Sequence, residues 1–270
     1  MKYIKLSNGF EMPVIGLGMW DSHEREAEHA VAAALKNGYK NIDTAMFYKN
    51  ETEVGTGIKI SGIPREDVIV STKIWYDDMY PEKVRETFEK SLSNLQLDYV
   101  DVYFLHWPIN DYVGSWKVLE ELYEEGKIKV IGVCNFQKHH LETLMKEAKI
   151  KPMINQIESH PTFSQAKLID YCKEQGIAVQ AWGPIGKGQD IQNEIILALA
   201  EKYGKTPAQI ILRWHVQRDI IAIPKTIKEH RLVENMDVFD FELSKEDMDL
   251  ISSLDTGKTN RGYQPGYQWE

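Results

Sequence analysis

A chain of 270 residues with 43% hydrophobic and 27% charged residues has the composition of an ordinary globular protein, which excludes disordered and fibrous classes. Its 41 acidic against 32 basic residues give a formal charge of −9, which disfavours a general nucleic-acid or anionic-membrane surface, so any anionic ligand must be met by local basic side chains. The opening MKYIKLSNGF lacks an apolar signal-peptide core, no run approaches the ~20 apolar residues of a membrane span, and Cys134 and Cys172 lack metal-ligand spacing; the expectation is a cytosolic protein with reduced thiols, no metal, and no nucleic-acid or membrane partner.

The first segment, YIKLSNGFEMPVIG, predicts a hairpin turning at Asn8-Gly9, because that pair accepts the positive φ angles of a tight turn. Short apolar runs then alternate with amphipathic stretches: VIGLGMW with HEREAEHAVAAALKNG, NIDT with ETEVGTGIKISG, VIVSTKI with PEKVRETFEKSLSNL, and VDVYFLH with SWKVLEELYEEG. The pattern continues through IKVIGVCN and HHLETLMKEAKI, MINQIE and QAKLIDYCKEQG, IAVQAW and two helical segments, and IIAIPK and a short helix. Strands apolar on both faces and joined by helical crossovers imply a parallel sheet, and eight such units predict a (β/α)8 TIM barrel with an N-terminal β-hairpin. An open doubly wound sheet is the alternative. No linker or low-complexity stretch divides the chain, so one domain over residues 1–270 is expected.

Asp43, Lys73 and His106 close the second, third and fourth runs, while Asn135, Gln156, Trp182 and Lys225 close later ones. In a barrel those ends share one rim, where βα loops build active sites. Tyr48, from FYKNE, joins them. A tyrosine has a reference pKa of ~10, so it donates a proton to a developing alkoxide more readily when a cation stabilises its phenolate. Lys73 can supply that charge, Asp43 can keep the ammonium in place, and His106 can orient a carbonyl. Taken singly, each has an ordinary structural explanation: a buried ion pair, a core aromatic, a satisfied core histidine. Their joint occurrence at neighbouring strand ends is what argues for catalysis.

These segments resemble the aldo-keto reductase family, whose catalytic tetrad is Asp, Tyr, Lys and His in this chain order. The likeness runs over residues 16 to 243 and includes GLGMW, IGVCNF, INQIESHP, AWGPIG and IPKTIKEHRLVENMDVFDFEL. It implies Tyr48 as general acid, Lys73 and Asp43 tuning it, His106 positioning the carbonyl, and hydride from a nicotinamide. Asn135 and Gln156 carry amides suited to the carboxamide, and the indole of Trp182 fits stacking on the ring. The GPIGKG loop, with Gly183 and Ile185, can approach a pyrophosphate through its backbone. There is no GxGxxG after the first strand, which argues against a Rossmann site.

Lys225, Thr226, Lys228 and Arg231 form a basic cluster at a strand end and helix start, where phosphate is a natural ligand. By the resemblance, Lys225, Thr226 and Arg231 contact an adenosine 2′-phosphate, Glu234 and Asn235 the adenine, and Asp43 and Trp20 also border the cofactor. That implies NADPH/NADP. Two departures from the family pattern are a thiol at Cys134 in place of a serine hydroxyl and Met19 where many relatives have threonine. Trp20, Phe47, Trp75 and Trp107, with Tyr48 and His106, are the candidate substrate walls. INDYVG is a short loop where many relatives carry longer ones, which implies a wider, less enclosed pocket; the aromatic walls suggest a small or moderately apolar carbonyl compound as partner, and a monomer is expected. A regulatory subunit that only binds the cofactor is the rival, since the family includes potassium-channel β subunits. A barrel hydrolase would need paired carboxylates, and no second one falls at the rim.

Overall fold

A computed structural model describes residues 1–259. Strands β1 (Tyr3–Lys5) and β2 (Glu11–Pro13) pair antiparallel, with Lys5 opposite Glu11. The predicted turn needs correcting in one detail: of Asn8 and Gly9 only Gly9 has positive φ, at +87°. Leu6 N–H donates to Phe10 O at 2.8 Å, so residues 7–9 form a three-residue loop. Asn8 acts through its side chain instead. Its Oδ1 accepts from Phe10 N at 3.0 Å, and its Nδ2 donates to the carbonyl of Lys129 at 2.9 Å, which ties the hairpin to the barrel.

The barrel strands are β3 (Leu17–Gly18), β4 (Asn41–Asp43), β5 (Ile69–Ile74), β6 (Val100–Leu105), β7 (Ile128–Cys134), β8 (Ile154–Glu158), β9 (Ala178–Trp182) and β10 (Ile221–Ile223). Each pairs in parallel with its sequence neighbour. The ring closes through the parallel bridges Ile15–Ala222 and Gly18–Lys225, supported by Gly16 N to Ala222 O at 3.0 Å and Ala222 N to Val14 O at 2.8 Å. Gly18 makes this approach possible: a Cβ there would lie 2.8 Å from the carbonyl oxygen of Ile223.

The helices are α1 (Glu24–Lys36), α2 (Glu51–Ser61), α3 (Pro81–Leu95), α4 (Tyr112–Glu124), α5 (Lys138–Glu147), α6 (Ala166–Glu174), α7 (Glu194–Tyr203), α8 (Pro207–Gln217), α9 (Glu229–Met236) and α10 (Lys245–Ser252). In α1 the buried side is Ala27, Ala30, Val31, Ala34 and Leu35, the i, i+3, i+4 stripe that packs a helix onto a sheet. Helix α4 begins three residues earlier than its apolar pattern suggests, because Asp111 caps it by accepting from Gly114 N at 2.7 Å. Helix α8 starts on a Thr206–Gln209 capping box with Pro207 in its first turn. Helix α10 lies beyond the eight expected units; Ser244 caps it, and Ile251 buries against Trp214 and Leu243 under α7 and α8. Among the described residues no helix is long and apolar enough to cross a membrane.

Candidate active site

Strand alternation decides which side chains enter the barrel. On β5, Thr72 faces outward and donates to Glu51 Oε1 of α2 at 2.6 Å, which turns Lys73 inward. On β8, Asn155 faces outward toward the Phe136 carbonyl, leaving Gln156 inside. Asp43 at the end of β4 is the focus of these inward groups. Lys73 Nζ lies 2.6 Å from Asp43 Oδ2, and Gln156 Nε2 and Gln180 Nε2 donate to Asp43 Oδ1 at 2.7 and 3.3 Å. Lys73 also donates to the Thr44 carbonyl at 2.6 Å. Burial alone would favour loss of the Lys73 proton, but the carboxylate of Asp43 outweighs it and holds the lysine above its usual pKa. Burial likewise pushes Asp43 above the usual carboxylate range while Lys73 pulls it back, so the two hold each other as an ion pair sealed from solvent.

Tyr48 lies in a short 3-10 turn just after β4 and is partly exposed at the rim. Lys73 Nζ is 5.0 Å from its ring centroid. Desolvation pushes the Tyr48 hydroxyl up to about 12, while the Lys73 charge pulls the other way. The expected lowering by Lys73 is thus present as a contribution, but burial dominates. His106 follows β6 and meets the Tyr48 ring edge-on at 5.9 Å between centroids. The four tetrad residues are assembled within one rim.

Asn50, which the sequence reading did not single out, holds that corner together. Its Oδ1 accepts from Thr44 Oγ1 at 2.6 Å, and its Nδ2 donates to the carbonyls of Met19 and Ser22 at 2.7 and 2.8 Å. The loop carrying Trp20 is thereby fixed to the residue whose carbonyl receives Lys73. Trp20, Phe47 and Trp75 form a near-parallel wall, with interplanar angles of 10° and 13° and centroid separations of 5.9 and 3.8 Å. Trp20 and Phe47 are exposed. Trp107 is not part of this wall: it has no accessible surface and belongs to the buried interior.

On the neighbouring rim segment, Trp182 donates from Nε1 to Asn135 Oδ1 at 2.9 Å, and Asn135 Nδ2 donates to the His106 carbonyl at 3.1 Å. Asn135 adopts φ +64°, a conformation asparagine tolerates better than most side chains. Gln156 is engaged with Asp43, and Asp43 is 2% exposed with both carboxylate oxygens bonded, so in this conformation neither offers free surface to a ligand. Cys134 is fully buried beside the ion pair, which pushes its thiol well above the usual range through desolvation. After Trp182 the loop runs through Gly183 and Ile185, both partly buried. Its Gly186 and Gly188 amides donate to the loop's own carbonyls of Gly183 and Ile185, so they do not point outward as expected of a phosphate wrap.

Beyond β10, Lys225, Lys228 and Arg231 are exposed, and none pairs with a carboxylate among the described residues. Thr226 is buried and accepts from Lys228 N at 3.1 Å at the entry to α9. Glu234 is partly committed to structure, since its Oε1 accepts from Thr206 Oγ1 at 2.7 Å, and Asn235 is buried near Tyr39. The missed residues Gln180 and Asn50 carried one signal, a polar amide within or beside an apolar strand that must be satisfied when buried.

Comparison with known proteins agrees with this geometry. The profile of the Aldo/keto reductase family matches residues 14–190 and 191–256. The chain is 54% identical over 253 residues to glyoxal reductase of Bacillus subtilis (strain 168), covering 93% of this chain and 92% of that protein. It is 45% identical over 260 residues to methylglyoxal reductase DkgA of Escherichia coli (strain K12), covering 94% of each. A crystal structure of MGS-M4, an aldo-keto reductase enzyme from a Medee basin deep-sea metagenome library, superposes with a TM-score of 0.94 at 47% identity, covering 98% of this chain and all of that one. The chain belongs to the aldo/keto reductase family. It is an oxidoreductase acting on carbonyl groups.

Proposed function

We propose that the protein reduces aldehydes or ketones to alcohols with NADPH, using Tyr48 as the proton donor. The observation that carries this reading is the charged, solvent-sealed Asp43–Lys73 pair set beneath a partly exposed Tyr48 on the barrel rim. The residues present suit a phosphorylated dinucleotide. Trp182 presents a partly exposed indole at the rim, and Lys225, Lys228 and Arg231 cluster as three exposed cations without a carboxylate partner among the described residues. Trp182 would lie against the nicotinamide, Asn135 near its carboxamide, and the basic cluster at the 2′-phosphate.

A reduced nicotinamide supplies a hydride to the carbonyl carbon when bound. The protein's own part is to hold the carbonyl oxygen between Tyr48 and His106 and to deliver the Tyr48 proton as negative charge develops there. Lys73 lies close enough to stabilise the resulting phenolate, and Asp43 keeps that lysine charged throughout. Trp20, Phe47 and Trp75 wall the approach with apolar, partly exposed aromatic surface suited to a small or moderately apolar carbonyl compound. The relatives named for glyoxal and methylglyoxal make short dicarbonyl aldehydes the first substrates to test. NADPH oxidation should accelerate on adding glyoxal or methylglyoxal, whereas cofactor binding without turnover of any aldehyde or ketone would overturn the reading.

A further inference from the structure

Behind the candidate cofactor loop lies a buried charged cluster that the tetrad does not use. His160, Glu158 and Asp190 are each at most 2% exposed. The imidazole stands between two carboxylates, with Nδ1 2.9 Å from Asp190 Oδ2 and Nε2 3.3 Å from Glu158 Oε1. A carboxylate accepts but does not donate, so both contacts are hydrogen bonds only when both ring nitrogens carry protons. Thr162 reinforces the arrangement, donating from Oγ1 to Asp190 Oδ1 at 2.8 Å and from its backbone N to Asp190 Oδ2 at 3.2 Å.

The cluster joins three segments that are distant in sequence. Glu158 and His160 belong to the end of β8 and its following turn, and Asp190 belongs to the loop after Trp182. The segment after α10 is attached as well: Thr256 N donates to the Thr162 carbonyl at 2.9 Å, and Thr259 donates to Glu158. Asp190 also packs into the turn of its own loop, because a Cβ on Gly186 would lie 2.6 Å from its Cγ. Gly186, Lys187 and Gly188 have φ of +60°, +54° and +87°, a run of left-handed residues that needs external support.

We propose that His160 is a positioning residue for cofactor binding: as an imidazolium bridging Glu158 and Asp190 it locks residues 183–193 to the barrel rim, and loss of its proton releases that loop and weakens the cofactor's hold. The proposal rests on the reading that this loop borders NADPH. Burial works against the charged ring, but hydrogen bonds and charge from Asp190 and Glu158 more than reverse it and raise His160 from 6.5 to about 9. Among the described residues, His215 of α8 is a further titratable group on a packed element; its ring bonds the Pro184 carbonyl at 3.1 Å, and burial holds it far below its usual value, hence neutral. A folded-state pKa raised above the unfolded one means the lock is fully present below pH 6.5 and is lost as pH rises through about 9.

The test follows three quantities in the cofactor-free and NADPH-bound protein from pH 7 to 10. Histidine NMR reads the titration of His160, hydrogen exchange corrected for its intrinsic pH dependence reads protection of residues 183–193, and fluorescence reads the NADPH dissociation constant. The 2′-phosphate itself ionises near pH ~6, below this window. NADPH affinity should fall about fivefold or more with the same midpoint as His160 and the loop's protection. In Asp190→Asn all three midpoints should move together to lower pH. Tight NADPH binding with a flat affinity and flat loop protection while His160 titrates would overturn the proposal alone. Failure to bind NADPH at any pH would overturn the cofactor reading and the proposal with it.

Discussion

Lys73 Nζ stands 2.6 Å from Asp43 Oδ2 in a pocket where neither side chain reaches solvent, and the same ammonium lies 5.0 Å from the ring centre of Tyr48. A charge kept in so dry a place acts on its neighbours with little screening, so the pair can influence Tyr48 far more than a surface lysine could.

Tyr48→Phe keeps the ring and removes the hydroxyl. Reduction should fall by about a hundredfold or more, the scale of losing a general acid, while the NADPH dissociation constant changes little. Because burial raises Tyr48 to about 12, the wild-type hydroxyl stays protonated below that pH. At saturating NADPH, kcat should therefore show no break from Tyr48 ionisation up to pH 10. Steady-state kinetics over that range check both points, and near-normal turnover by a folded Tyr48→Phe protein would remove the assigned role.

Lys73→Met should cost stability as well as rate, because it leaves the Asp43 carboxylate buried without its cation, an error worth roughly 3–5 kcal/mol. The double variant Asp43→Asn with Lys73→Met should recover much of that stability but none of the activity. Urea unfolding of the single and double variants measures the coupling. Simple additivity of the two losses would mean that the pair contributes no mutual stabilisation.

The indole of Trp182 should be quenched when NADPH binds, since a stacked nicotinamide provides an efficient acceptor. Six other tryptophans contribute background, so the comparison is with Trp182→Phe. That variant also removes the 2.9 Å hydrogen bond to Asn135 Oδ1 and should weaken NADPH by several-fold. Quenching of undiminished size in the variant would place the ring elsewhere.

Arg231→Ala should weaken NADPH by about tenfold or more, through loss of charge-assisted hydrogen bonds worth roughly 1.5–3 kcal/mol each, and leave NADH nearly untouched. Lys225→Ala should also shift preference toward NADH, though its position on the closing bridge makes some loss for both cofactors expected. Dissociation constants for both cofactors at fixed salt give the answer. Equal losses for the two in Arg231→Ala would rule out the 2′-phosphate assignment.

The barrel was legible because parallel strands covered on both faces read as continuous apolar runs, and because Asp43, Lys73 and His106 interrupt those runs at their ends. The family likeness then ordered the rim. Other features depend on distances across the barrel that local pattern does not encode. Gln180 meets Asp43 across 137 residues of chain, and His160 meets Asp190 across 30. Trp107, one residue past His106, looked like a pocket wall but has no accessible surface; its indole lies face-on to the His106 ring at 6.5 Å between centroids, inside the rim and not on it. Asn8 looked like a left-handed turn residue, yet its amide found the Lys129 carbonyl instead. Helix α10 had a legible cap at Ser244, but it lies outside the repeating βα pattern on which the reading was built.

The seam of the barrel has a consequence for assembly. Lys225 is at once a member of the basic cluster and the partner of Gly18 in the bridge that joins the last strand to the first. The proposed phosphate platform is therefore incomplete in any partly folded chain in which the ends of the sheet have not met. An anion that needs Lys225 in its folded place would bind only the closed ring, so by mass action it would act as a fastener on this seam. Thermal unfolding should then report occupancy of the cluster through a bridge whose Gly18 is also the register partner of Asp43, and the protein's resistance to opening should rise with added NADPH.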